Sequence, residues 1–160
     1  LAIRSHYEFA PEEIEILQKA LGQRVLYSRN HYLLSKEPAD FYKLINSGIT
    51  DDFTMGYADL SGFRLGTARS VRWVDPYTST VTSLNLHPLT IMDVSLFEDQ
   101  YMALSIEDAK KYSIKLLNQV KEFGGELCLL WHNASLISQK KEVQLYSELL
   151  SYLSIQNDLK

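Results

Sequence analysis

The chain has 160 residues, 46% of them apolar and 22% charged, with a formal net charge of −4. That length supports one domain around a single core that buries about two thirds of the unfolded surface, and the composition excludes a disordered chain. The acidic balance lacks the clustered Lys and Arg that neutralise phosphates, which speaks against nucleic acid. No apolar run reaches the ~20 residues of a membrane helix.

Residues 1–4, LAIR, read as the end of a strand. A chain that opens inside a strand leaves an unpaired edge, which predicts either a preceding segment or a second copy covering it. The run PEEIEILQKALG at 11–22 predicts a helix: Pro11 suits the first helical position, acids fill the first turn, Ile14, Leu17 and Leu21 share a face, and Gly22 closes the end. A strand follows at 24–29, then a second helix at 38–47 with Phe41, Leu44 and Ile45 on one side. DDFTMG predicts a short strand. From Leu60 to Asp93, glycines, DPYTST and the runs VRWV and VTSLNL predict extended segments joined by turns.

Helical pattern returns at SIEDAKKYSIKLLNQVKEFGG, with Ser105 and Asp108 at capping-box spacing, Ala109, Tyr112, Leu116, Val120 and Phe123 on one face, and Gly124-Gly125 at its end. ELCLLW reads as a strand buried on both faces, and a last amphipathic helix spans about 139–153. This alternation predicts an α/β protein with a mainly parallel sheet. Cys128 is the only cysteine, so an intrachain disulfide and a four-thiolate zinc site are excluded. Its apolar surroundings predict an inert thiol, and a single free cysteine is compatible with a reducing compartment, with cytoplasm the default.

In such sheets ligands bind beyond the carboxyl ends of the strands. The polar residues after each expected strand therefore converge: Arg4 to His6, Arg29 to His31, Asp52 to Tyr57, and His132 with Asn133. His132, ending the run LLWHN, is a candidate general acid, general base or metal ligand, or else a hydrogen-bonded strand-end histidine. Arg29 and His31 share a face in an extended segment, either aimed into one pocket or forming a surface ion pair. His87 reads as structural, and Asp93 as a turn residue or substrate contact. Asp51 and Asp52, adjacent in a strand, point to opposite faces, which favours a turn residue beside a pocket residue over a shared metal.

Taken in order, LAIRSHYEF, SRNHYLL, GITDDFTMGYADLSGFRLGT, LNLHPLTIMD and GGELCLLWHN resemble the C-terminal two thirds of a polysaccharide deacetylase-like (NodB-homology) protein, in particular a bacterial branch with TMGYA, GFR.GT and WHN. The resemblance implies part of a distorted (β/α) barrel and metal-dependent hydrolysis of acetyl groups on a glycan. It implies Arg29 as the residue orienting a catalytic carboxylate, His132 as the acid that protonates the leaving group, and Tyr57 and Arg64 as rim contacts; His31, Asp52, Asp93 and Asn133, read from their own positions at strand ends and turns, are further candidate substrate-binding residues. The cofactor implied is a divalent metal such as zinc. The family's paired-aspartate motif would lie before Leu1, and Arg4 stands where the branch carries a ligand histidine, which leaves His6, on the same strand face, as the metal ligand. A guanidinium cannot ligate a cation. Two other expectations stand beside this one: a non-catalytic carbohydrate-binding or assembly module on the same half-barrel, and an unrelated α/β protein whose strand ends hold a phosphate or sugar phosphate.

Overall fold

The computed structural model of the chain describes residues 2–3, 11–137 and 141–157. Among these residues, seven strands and five α-helices run in the order β1 (Ala2–Ile3), α1 (Pro11–Leu21), β2 (Tyr27–Ser28), α2 (Ala39–Asn46), β3 (Asp51–Met55), β4 (Val71–Val74), β5 (Val81–Pro88), β6 (Ile91–Met92), α3 (Asp93–Phe97), α4 (Ile106–Phe123), β7 (Leu129–Leu130) and α5 (Lys141–Asn157). The larger sheet has the order β1-β2-β3-β5-β4. Its first four strands are parallel, and β4 folds back antiparallel on β5. A second, two-stranded parallel sheet joins β6 to β7. The fold is thus α/β with mostly parallel strands, and the described strands form no closed barrel.

Helices α1 and α2 cover one face of the larger sheet. Their Ile14, Phe41 and Leu44 pack with Trp73, Leu84 and Leu86 from β4 and β5, each fully buried side chain contributing about 1.5–3 kcal/mol of transfer free energy. A second core joins α3, α4 and α5 to β6 through Ile91, Leu96, Leu116, Leu145 and Leu149. The two are stitched by continuous chain: Leu89 donates its amide to Met55 O, and the next two amides, of Thr90 and Ile91, both donate to Cys128 O. The chain leaves β3 and joins β7 within three residues.

Helix α4 begins as its sequence predicts. The Asp108 amide donates to Ser105 Oγ at 3.1 Å, and Ser105 Oγ donates to Asp108 Oδ2 at 2.9 Å. It ends at Gly124, with φ of 71°.

Three elements depart from expectation. The strand at 24–29 shrinks to Tyr27–Ser28 because the Val25 amide donates to the Gln18 side chain of α1, at 3.0 Å, instead of joining a ladder. ELCLLW yields only Leu129–Leu130, half-buried, since β7 has a single strand neighbour among the described residues. The extended region ends at Met92, where Asp93 opens a short helix whose Ser95, Leu96 and Phe97 are buried.

Candidate active site at the strand ends

Strands β6 and β7 are paired so that Met92 lies opposite Leu130. Just beyond this register the chains place Asp93 and His132 side by side. Asp93 is fully buried, and its carboxylate grips His132 twice: Oδ2 accepts the His132 backbone amide at 2.8 Å and Oδ1 accepts from Nδ1 at 2.7 Å. Oδ1 also accepts the Val94 amide at 2.8 Å. An ionised carboxylate only accepts, so an imidazole bonded to one through Nδ1 carries its proton there, and no described residue hydrogen-bonds Nε2. The ring is partly open to solvent, its side chain 28% exposed.

His132 lines a cavity of about 310 Å³ together with Arg29, His31 and Tyr32 from the segment after β2, Ala58 from the segment after β3, Met92 and Val94 around the start of α3, and Glu98, Gln100 and Tyr101 beyond it. These positions lie at the carboxyl ends of the strands, where parallel sheets bind ligands. His31 and Tyr32 stack with centroids 4.2 Å apart, and Tyr32 is 56% exposed. Tyr32 and Leu33 both have positive φ, 56° and 55°, a conformation costly for bulky side chains and one that folded structures keep where neighbouring contacts enforce it.

Of the residues singled out in the sequence, the structure brings Arg29, His31 and His132 to the cavity wall. Asp93 sits beneath His132 as its buried partner instead of facing a ligand. Asp52 is likewise fully buried, on the helix-covered side of β3, where its carboxylate accepts Ser28 Oγ at 2.5 Å, the Thr54 amide at 3.0 Å and Thr54 Oγ1 at 2.9 Å. Burial pushes the Asp52 carboxyl up despite these donors. Arg64 reaches backward to the main chain, its guanidinium donating to Gly56 O at 3.2 Å and Leu33 O at 3.4 Å. Tyr57 is 39% exposed and lies outside the cavity lining. Asn133 caps its own turn, Oδ1 accepting the Ala134 amide at 3.0 Å. His6 and Arg4 lie outside the described residues.

Sequence reasoning missed the Asp93–His132 pair and the Glu98–Tyr101 wall. The signal for the pair was present: IMD and LLWH each end an apolar step in a polar residue, as two neighbouring parallel strands would. The wall carried no comparable signal, because the short helix that projects it has no periodicity to read.

Asp51 and Asp52 do point to opposite faces. Asp51 joins His87 on the face away from α1 and α2: His87 Nε2 lies 2.8 Å from Asp51 Oδ1 and Nδ1 lies 2.7 Å from Glu126 Oε2, while Phe53 stacks on the ring at 4.3 Å. Its two carboxylates occupy opposite nitrogens, so they cannot share one metal ion with the imidazole. Across the described residues no group of three or more His, Cys, Asp or Glu side chains is placed to hold a metal, and the cavity's His31, Glu98 and His132 do not form one. Cys128 is half-buried, and burial pushes its thiol up, away from the reactive thiolate.

The fold and site together define an α/β protein with a carboxylate-held histidine at the rim of a strand-end cavity. Comparison of the chain with protein-family models, curated proteins and solved structures finds no match.

Proposed function

We propose that the chain is a polysaccharide deacetylase-like protein that hydrolyses acetyl groups on a glycan, with His132 as its proton donor. The observation that carries this reading is the double grip of Asp93 on His132, which fixes the ring and leaves Nε2 as its open nitrogen. In the cationic form Nε2–H faces the leaving group. Water adds to the acetyl carbonyl and gives its proton to the open Nε2, the C–N or C–O bond breaks, the departing amine or alcohol takes that proton back from Nε2, and acetate leaves. Asp93 stabilises the imidazolium before transfer and holds the tautomer after it. Arg29, which lines the same cavity, supplies fixed positive charge toward the anionic intermediate. The His31–Tyr32 stack offers an aromatic face for one sugar ring, and the cavity volume suits a single acetylated residue of a chain.

A divalent metal, zinc first among them, would polarise the acetyl carbonyl in this reading. The described residues alone do not supply its ligand set, and His6 is the ligand proposed for it. A deacetylase-type barrel belongs to the same proposal.

The exposed Tyr32 platform favours one other reading, a non-catalytic carbohydrate-binding module. Acetate release from N-acetylated chitooligosaccharides and O-acetylated xylan, with and without added zinc, separates the two. The hydrolase reading predicts release that falls by about 10²–10⁴-fold in His132→Ala and at least about 10²-fold in Asp93→Asn. Glycan affinity with no acetate from any of these substrates would overturn it in favour of the binding module.

A further inference from the structure

Asp52 is a buried carboxylate outside the lining of the strand-end cavity, yet its contacts run toward residues that form that lining. Ser28, which donates to it, immediately precedes Arg29. Thr54 donates its amide and hydroxyl to Asp52, and the same hydroxyl oxygen accepts the Asn30 backbone amide at 3.0 Å. Asn30 immediately follows Arg29. One carboxylate therefore fixes the chain on both sides of Arg29, directly through Ser28 and by relay through Thr54. Parallel pairing of β2 with β3 sets this up, because the ladder aligns Ser28 with Asp52.

A second brace acts a few residues on. The Arg64 guanidinium spans Leu33 O and Gly56 O, joining the end of the Arg29–Leu33 segment to the turn after β3. Between the two braces lie Tyr32 and Leu33, whose positive φ angles need enforcement from outside.

We infer that Asp52 is a positioning residue: through Ser28 and the Thr54 hydroxyl it sets the backbone on either side of Arg29 and so the placement of Arg29, His31 and Tyr32 in the cavity that His132 also lines. Any catalytic consequence rests on the hydrolase reading above; the hold on the segment does not. Carboxylate geometry suits the task, since Oδ1 accepts the Thr54 amide while Oδ2 accepts the hydroxyls of both Ser28 and Thr54. This orients the Thr54 lone pair toward the Asn30 amide.

The test compares Thr54→Val, which keeps the shape and removes the hydroxyl, with Thr54→Ser, which restores it, and with Ser28→Ala, in the full ¹⁵N-labelled chain. Amide exchange at residues 30–33 and at α4 is read in each, beside acetate release. The expected result is exchange at Asn30 faster by about tenfold in Thr54→Val, recovery in Thr54→Ser, and unchanged α4 amides throughout. On the hydrolase reading, kcat falls and recovers in parallel. Ser28→Ala, on the other side of Arg29, loosens the segment by an independent route should Thr54→Val fold poorly. Unaltered exchange at residues 30–33 in both Thr54→Val and Ser28→Ala would overturn the role of Asp52. Altered exchange with no acetate from the wild type would support that role while removing the hydrolase reading.

Discussion

His87 meets a carboxylate at each ring nitrogen, and it lies outside the lining of the cavity. Burial alone would lower its pKa, but the hydrogen bonds to Asp51 and Glu126 outweigh burial and raise it. The same bonds, with those from Thr50 and Asn85 to Asp51 and from Ser70 to Glu126, outweigh burial of the two acids and lower theirs. Asp52, behind the strand, and the stacked Phe53 ring complete its surroundings. A raised histidine stabilises the fold fully below its unfolded pKa and loses that contribution as pH rises through the folded value. Lowered acids stabilise above their unfolded pKa and lose it as pH falls through theirs. The cluster therefore acts most strongly between about pH 4.5 and 6.5. Replacing His87 with Gln is expected to cost about 1–2 kcal/mol near pH 5.5, with Glu126 half-exposed to solvent, and clearly less near pH 9. Urea unfolding at the two pH values checks this; a pH-independent loss would mean that His87 acts by packing on Phe53 alone.

At the scale of elements, Glu126 ties the β3–β5 face to the segment that leads into β7 and His132. That segment passes so close to the chain at Ala68 that a Cβ on Gly125, where φ is 146°, would meet Ala68 O at 2.4 Å. Gly125→Ala is expected to lower stability by about 2 kcal/mol or more, from backbone conformation and overlap together. Thermal unfolding measures it, and a neutral result would show that the 124–126 turn relaxes freely. Much of the element pattern was legible in the sequence. Pro11, the Ala109, Leu116 and Val120 stripe of α4, its Ser105 cap and the terminating glycines are local signals that survive folding, whereas Phe123, expected on the same stripe, lies exposed at the helix end. What was not legible is set by side-chain and strand partners that carry no periodic signal. The Gln18 side chain, seven residues back, takes the Val25 amide and shortens β2, and a single strand neighbour among the described residues leaves β7 half-buried. The site divides in the same way. Strand-end position marked Arg29, His31 and His132, whereas the buried roles of Asp52 and Asp93 depend on strand register, which periodicity does not encode.

For the whole molecule, the larger sheet places β1 at one edge and β4 at the other, with the cavity where β2, β6 and β7 release their chains. No helix among the described residues is long and apolar enough to cross a membrane. The account turns on one atom, Nε2 of His132, and on whether it meets an acetylated sugar. Long-range ¹⁵N–¹H correlation spectra resolve ring tautomers, and the chain's 4 histidines make assignment by single substitution practical. The measurement to make is the His132 ring spectrum with and without an N-acetylated chitooligosaccharide. The account predicts an Nδ1–H tautomer at alkaline pH, a mixed one in Asp93→Asn, and a ligand-induced shift at Nε2. An Nε2–H tautomer in the wild type, or a bound oligosaccharide that leaves the His132 ring signals untouched, would contradict it.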